Sequence, residues 1–276
     1  MKIAVIILNY NSARDCKRCV EDLFRQKNVD LEIIIVDNCS KKDDLFEVKN
    51  FCNENLLTFI PALENRGYNA GNNIGLRYAV SRGYKYALIA NPDMQFPEAD
   101  YIAKLVAKIN EDPEIAICGS NIVGLDRMPQ SPCIPDSRSW VGAWKWMLFP
   151  FFKKMKIQEY IDNCWESHYC KKISGCCLLV RLSFISSVGY FDENVFLYCE
   201  EAILSKQVEK WNKKMYFLHS TTAIHAHIKN EKGDQQVRFQ NWLMSRLYFE
   251  RTYNYCGKIS HALKVLGFKT YAFFFT

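Results

Sequence analysis

The chain has 276 residues, of which 49% are hydrophobic and 24% are charged, and its formal net charge is +6. This length can bury a large core, and the composition is typical of a globular protein. The mild charge and the absence of a dense lysine and arginine stripe argue against a nucleic-acid-binding protein and suit phosphate-bearing ligands or an anionic membrane nearby. Only six apolar residues precede Asn9, too few for a secretory signal, so the 12 cysteines are expected to be reduced thiols in the cytoplasm.

The first half of the chain alternates apolar runs with helix signals. Continuous apolar runs predict buried strands at 3–10, 31–38, 57–64, 86–93 and 115–123. Helices are predicted between them: one capped by Ser12, one opened by Ser40, one over about 70–82 and one near 97–110. This alternation predicts an α/β fold with a doubly wound, mostly parallel sheet.

Asparagine or aspartate stands at the end of four consecutive predicted strands. These residues are Asn9 and Asn11, Asp37 and Asn38, Asn65, and Asn91 and Asp93. Ligands of such sheets bind beyond the carboxyl ends of the strands. The pattern therefore predicts one polar ligand site along this edge.

The second half is less regular. Strands are predicted at 172–180 and 215–228, and helices near 182–188, 200–212 and 236–253. Neither an internal repeat nor a clear linker is visible, which favours one integrated domain. The stretch FLYCEEAIL at 196–204 places Glu200 and Glu201 side by side in an apolar frame. Alone, the pair fits either a solvated helix start or a catalytic carboxylate.

Several short motifs limit the chemistry. ENRGYNAGNNIG at 64–75 is rich in glycine and asparagine, but no GK[ST] follows it, and the first strand lacks the GxGxxG of a dinucleotide-binding protein. Asp93, in Asn-Pro-Asp, fits either a turn residue or a carboxylate ligand of Mg²⁺ or Mn²⁺. His225 and His227 alternate on a predicted strand, which puts both on one face. The pair at 16 and 19 (CxxC) has no partner motif, so buried helix residues are favoured over a zinc or redox site.

Taken in order, these motifs resemble a known family. The chain is similar to the inverting family 2 nucleotide-sugar glycosyltransferases, of the rhamnosyltransferase-like, bacterial polysaccharide-assembly type. The motifs that carry this similarity are spread over about residues 3–228: ILNYNS, VDNCS, ENRGYNAGNNIG, NPD and the block ending in YCEE. The resemblance implies the GT-A fold in one catalytic domain. Residues 1–123 would be a Rossmann-like nucleotide-sugar-binding half, 124–228 an acceptor-binding and catalytic half, and 229–276 a C-terminal helical extension.

The resemblance also implies the reaction and its site. A sugar would move from a UDP- or dTDP-sugar, with dTDP-rhamnose one of the donors considered, to an oligosaccharide or polyprenyl-linked glycan in cell-surface polysaccharide synthesis. The donor-binding residues would be Asn9, Tyr10, Asn11, Asp37, Asn38, Asn65, Gly67, Asn73 and Asn91. Asp93 would hold Mg²⁺ or Mn²⁺, joined by His225 in preference to His227. Asp192 would organise the acceptor side.

One departure from the family pattern concerns the base. The family often shows Glu-Asp-x-Asp, whereas this chain reads Glu200-Glu201-Ala202-Ile203. Aligned this way, Glu201 is favoured over Glu200 as the general base, and Ile203 replaces the second acid. A non-catalytic relative that binds a nucleotide sugar or a glycan is the alternative.

Two acid-free segments combine aromatic and basic residues, at 140–157 and 257–276. They fit either the interface of the inner face of the cell membrane or a core packed beside a lysine edge. No run in the sequence reaches the roughly 18 apolar residues that span a bilayer.

Overall fold

A computed structural model describes residues 2–136, 164–227 and 234–275. The strands are β1 Lys2–Asn9, β2 Asp30–Asp37, β3 Thr58–Pro61, β4 Tyr86–Ala90, β5 Met94–Gln95, β6 Ile115–Gly124, β7 His168–Cys170, β8 Cys177–Arg181 and β9 Lys214–His225. The helices are α1 Ala13–Phe24, α2 Lys42–Glu54, α3 Tyr68–Ser81, α4 Tyr101–Glu111, α5 Leu182–Ser187, α6 Glu200–Lys210, α7 Gln235–Thr252 and α8 Lys258–Phe275.

The strands form one mixed sheet in the order β3-β2-β1-β4-β8-β6-β9-β5, with β7 paired to β9. The first four strands along this path are parallel, as the βα alternation predicts. The fifth predicted strand, now β6, does not follow β4 in the sheet, because antiparallel β8 lies between them. The predicted α/β class is confirmed, but the second half of the sheet is mixed.

Two hydrophobic layers cover the sheet, one on each face. Side chains of β1 alternate between them, so that Ile3, Val5 and Ile7 pack with α1 and α4. Ala4, Ile6 and Leu8 pack on the other face with α3 and α5. Burial on both faces explains why this strand is a continuous apolar run.

The two predicted helix caps have different outcomes. Ser12 stands at the N-cap position of α1, but its side chain makes no capping hydrogen bond: its hydroxyl donates to the Tyr10 carbonyl, and the Ala13 N–H is accepted by Asp44. The predicted cap at Ser40 is wrong, because α2 begins at Lys42. The Ser40 hydroxyl instead accepts the N–H of Asn11, in the turn after β1.

The pair of cysteines on α1 is structural. Cys16 and Cys19 are completely buried in the core beneath the sheet. Burial raises the pKa of both thiols. This agrees with the interpretation as small buried helix residues.

The two C-terminal helices are joined by buried charges. Lys264 of α8 donates to Glu250 of α7 at 2.8 Å, and both residues are 1% exposed. Arg246 contacts Glu250 at 2.7 Å and also pairs with Asp136, whose other partner is Lys172. Within the segment 257–276, Lys258–Phe275 thus form a helix whose Lys264 is inside. Residues 140–157 lie outside the described ranges. Among the residues that the structure describes, no helix has the length and apolarity needed to cross a bilayer.

Candidate active site

Asn9 and Asp37 meet at the carboxyl edge of β1 and β2, where they stand opposite each other in register. The Asn9 amide donates to Asp37 Oδ1 at 2.8 Å and to Asp44 Oδ1 at 2.7 Å. Asp37 Oδ2 accepts the Ser40 backbone N–H at 3.0 Å. Asn9 and Asp37 are fully buried, so these contacts shape the floor of the predicted donor site. Asp44 was missed because it lies in the first turn of a helix, where acids are common.

The turn after β1 exposes one aromatic ring. Asn11 has a φ of 52°, and its side-chain oxygen accepts the Lys41 N–H at 2.8 Å. Tyr10 is about half exposed. Of the two side chains, that of Tyr10 is the more exposed.

The loop before α3 is fixed by amide contacts. The Asn38 amide donates to Asn65 Oδ1 at 3.0 Å, and Asn65 Oδ1 also accepts the Gly67 N–H at 2.9 Å. Gly67 has a φ of 97°, and a Cβ there would lie 2.2 Å from the Phe196 carbonyl oxygen. Because the backbones touch, only glycine fits. The predicted donor loop therefore rests directly on the segment that leads to Glu200.

Asn73 lines a pocket together with Asn38 and Arg66. It is buried on α3, and its amide both donates to the Phe191 carbonyl and accepts the Phe191 N–H. Asn69 donates to the Asp192 carbonyl at 2.7 Å. These two asparagines hold the 191–193 segment against α3.

Asp192 anchors α7 to the same segment. Its Oδ2 accepts the hydroxyls of Tyr248 and Tyr253, each at 2.7 Å, and its Oδ1 accepts the Asn194 N–H. Burial opposes ionisation, but the hydrogen bonds from Tyr253, Asn194 and Tyr248 outweigh it and lower the pKa of Asp192. The two tyrosines lie more than 50 residues away along the chain. No local pattern indicated them.

Glu200 and Glu201 open α6 beside a small cavity. The two residues before them, Tyr198 and Cys199, have left-handed φ values of 74° and 66°. The cavity is lined by Tyr68, Asn69, Ile89, Gly175, Leu178, Phe191, Glu200, Glu201 and Leu204. The pair is therefore at a pocket, not on a solvated helix face.

Gly175 orients one of the two carboxyl groups. Its N–H donates to Glu201 Oε1 at 3.1 Å, and its carbonyl accepts the Tyr68 hydroxyl at 2.8 Å. A Cβ at Gly175 would lie 3.1 Å from the same Glu201 oxygen. A side chain here would crowd the carboxylate.

Glu200 has a different environment. Burial, together with the negative charge of Glu201, raises the pKa of Glu200 to about 8. Its Oε1 is buried and has no hydrogen-bond partner in the ranges that the structure describes. This environment therefore disfavours the ionised form of Glu200 relative to an exposed glutamate.

Asp93, His225 and His227 form a compact group. β5 pairs with β9 so that Met94 stands opposite His225, which brings the histidines to the turn after β4. His225 Nε2 lies 3.3 Å from Asp93 Oδ1, and His227 Nδ1 lies 3.3 Å from Asp93 Oδ2. The two imidazole rings stack at 5.6 Å, which confirms that they share a face. Both histidines reach Asp93.

The donor set of this group fits a divalent cation. The three ligand atoms lie within 4.8 Å of one another. Asp93 Oδ1 is buried, and its partner is His225 Nε2 at 3.3 Å. Gln130 Oε1 lies 2.8 Å from His225 Nδ1 and orients that ring, a contact the sequence did not indicate.

The charges of the group are coupled. Burial disfavours the imidazolium, but the hydrogen bonds to Asp93 and Cys176 raise the pKa of His225 to about 10. Burial likewise opposes ionisation of Asp93, yet His225 and His227 lower its pKa. An incoming cation would replace the proton on His225.

A family model described as Glycosyl transferase family 2 matches residues 4–177, more than half of the chain. The Low-salt glycan biosynthesis hexosyltransferase Agl10 of Haloferax volcanii is 25% identical over 243 residues, which cover 87% of this chain and 70% of the relative. The N-acetylglucosaminyl-diphospho-decaprenol L-rhamnosyltransferase of Mycobacterium tuberculosis is 27% identical over 155 residues, which cover 51% of this chain and 46% of the relative.

Solved structures share the fold at lower identity. The mannosyltransferase PcManGT from Pyrobaculum calidifontis, in complex with GDP-Man and Mn²⁺, has a TM-score of 0.63 at 15% identity, covering 98% of this chain and 72% of its own. GalNAc-T7 with UDP, GalNAc and Mn²⁺ has a TM-score of 0.64 at 16% identity, covering 98% and 56%. With the family match, these likenesses identify the chain as a member of glycosyl transferase family 2, a transferase with the GT-A fold.

Proposed function

We propose that the protein is an inverting glycosyltransferase that moves a sugar from a nucleoside diphosphate to a hydroxyl group of a glycan acceptor. One observation carries the proposal. Gly175 binds Glu201, and the next residue, Cys176, accepts the Asn91 N–H two residues before Asp93. One short segment thus links the acidic pair to the Asp93 group, as a reaction between donor and acceptor requires.

The donor would lie along the carboxyl edge of β1 and β2. Tyr10 would contact the nucleoside, over the floor formed by Asn9 and Asp37. Asn11, Asn38 and Asn91 complete the proposed donor site, with Asn65 and Gly67 shaping its loop. Asn73 supports this loop indirectly through α3. A UDP- or dTDP-sugar is the proposed donor.

Asp93, His225 and His227 would hold Mg²⁺ or Mn²⁺. The supporting observations are the buried carboxyl group of Asp93 and the two imidazoles that converge on it, each at 3.3 Å. When bound, such an ion would offset the charge that grows on the departing nucleoside diphosphate.

Glu201 is proposed as the general base. It would take the proton of the acceptor hydroxyl while that oxygen forms a bond to the anomeric carbon. The bond from this carbon to the diphosphate oxygen breaks with the electron pair leaving on the nucleotide, so one displacement inverts the anomeric centre. The Gly175 N–H orients Glu201 Oε1, whereas burial and the charge of Glu201 raise the pKa of Glu200 and disfavour its carboxylate form, which favours Glu201 as the base.

A glycan acceptor linked to a polyprenyl lipid is proposed. One relative is named for a rhamnosyl transfer to N-acetylglucosaminyl-diphospho-decaprenol. Such an acceptor would be met at the inner face of the cell membrane, by a cytoplasmic protein that lies on that surface. Asp192 would support the acceptor side through α7 rather than by direct contact.

The test combines donor binding with transfer. Thermal shift with UDP-, dTDP- and GDP-sugars, with and without Mn²⁺, should identify one donor whose effect depends on the metal. Glu201→Gln should keep that shift and lose transfer. Full transfer by this variant would contradict the assignment of the base, and donor binding without transfer by the unchanged protein would favour a non-catalytic relative.

A further inference from the structure

We propose that one face of α8 docks on an anionic membrane surface. This face consists of Lys258, Ile259, Ala262, Leu266 and Lys269, all of which are exposed. Ile259 is 80% exposed and Leu266 is 52% exposed. They are seven residues apart, almost two helical turns, and therefore lie on one line along the helix. The exposed Phe273 continues this line.

The opposite side of α8 fixes its orientation. Lys264 is buried against Glu250, and Phe268 is buried with its ring 5.9 Å from that of Trp242. The helix therefore has large apolar residues on both sides, Phe268 inside and Ile259 and Leu266 outside, unlike a helix whose outer face only meets water. Rotation to bury Ile259 and Leu266 would break the Lys264 ion pair. The Lys264 ion pair therefore keeps Ile259 and Leu266 on the outer side of α8.

The charge around the face points to the occupant. After Glu250 the sequence contains no aspartate or glutamate. Arg251, Lys258 and Lys269 are exposed, whereas Lys264 is neutralised inside. Apolar side chains flanked by lysines without an acid are the chemistry that enters the interface of an anionic bilayer, with the lysine stems lying along the apolar layer. The docking surface is independent of the donor, and its value for a lipid-linked acceptor rests on the proposed function.

The test is co-sedimentation of the full chain, without donor or acceptor, with vesicles of phosphatidylcholine alone or mixed with phosphatidylglycerol. We expect binding to the mixed vesicles that weakens with salt, and at least tenfold weaker binding to the neutral ones. Ile259→Glu/Leu266→Glu should weaken binding to the mixed vesicles at least tenfold. The matched control is Phe46→Glu/Leu56→Glu, which makes the same charge change at side chains 66% and 93% exposed and should bind as the unchanged protein does.

Further measurements separate the outcomes. Lys258→Gln/Lys269→Gln should flatten the salt dependence while the apolar line stays intact. Equal binding of the Ile259→Glu/Leu266→Glu variant and the unchanged protein would overturn the proposal. It would also be overturned if sedimentation velocity showed that the unchanged protein is a dimer and that only this variant is a monomer. In the Ile259→Glu/Leu266→Glu variant, the thermal shift with the nucleotide-sugar panel and the transfer to a water-soluble glycan should be unaltered. A failure of the proposed function would therefore show in these two measurements and not in vesicle binding.

Discussion

Removal of the negative charge of Glu250 tests the buried ion pair that joins α7 and α8. Glu250→Gln keeps the size of the side chain but leaves Lys264 buried beside a neutral amide. The Asn254 carbonyl, at 3.2 Å, still accepts from Lys264, and Arg246 still pairs with Asp136. Breaking a buried pair by removing one charge costs about 3–5 kcal/mol, since the other charge remains desolvated.

This loss is a large part of the total stability of a domain, about 5–15 kcal/mol. At about 2–4 °C per kcal/mol for a chain of about this size, the melting temperature should fall by about 10 °C. Urea unfolding followed by circular dichroism gives the free energy of unfolding directly, and its slope should not change.

The matched control is Glu47→Gln. Glu47 pairs with Lys17 at 2.7 Å, but both side chains are partly exposed, so its loss should cost about 0–1 kcal/mol. Lys264→Met should cost less than Glu250→Gln, because Glu250 keeps Arg246 and the Asn254 amide. If Glu250→Gln costs no more than Glu47→Gln, the account of this pair as a buried connection is wrong.

Three further predictions concern the site. The pKa of Glu200 is raised to about 8 from an ordinary value of 4.5, so the folded protein holds a proton that the unfolded chain loses, and stability falls as the pH rises through this window. Glu200→Gln should therefore gain in melting temperature relative to the unchanged protein from pH 5 to pH 9; a constant difference would contradict this. Gly67→Ala should cost about 1–3 kcal/mol and weaken donor binding, because its Cβ would meet Phe196, whereas Gly83→Ala, also at positive φ but in open space, should lose less stability and keep the donor affinity. Asp93→Ala should abolish Mn²⁺ binding in calorimetry, and retained affinity would exclude it as a ligand.

The parts of the fold that could be predicted are those in which a local pattern has one physical cause. β1, β4 and most of β2 are buried on both faces and are therefore unbroken apolar runs in the sequence. The alternation of His225 and His227 places both rings on one face because a strand repeats every two residues. The meeting of Asn9 and Asp37 could also be predicted, because neighbouring parallel strands end at the same edge of the sheet.

The parts that could not be predicted depend on distant partners. The insertion of β8 between β4 and β6 is a choice of strand pairing that no local window contains. Asn73 lines a pocket, but its side chain is held there by the backbone of Phe191, 118 residues away, which no local pattern indicates. Ser40 is of a residue type that often caps helices, but its hydroxyl accepts the Asn11 N–H across the sheet edge. In each case a long-range contact overrides a local preference.

The contact of Gly67 with the main chain at Phe196 has a consequence for evolvability. The donor loop meets the carbonyl oxygen and Cα of this residue, whereas its ring is partly exposed. Position 196 can therefore change its side chain while the loop keeps its support. Three residues separate it from Glu200, so on the proposed function we expect libraries randomised at 196 to yield new acceptor preferences while nucleotide recognition stays unchanged.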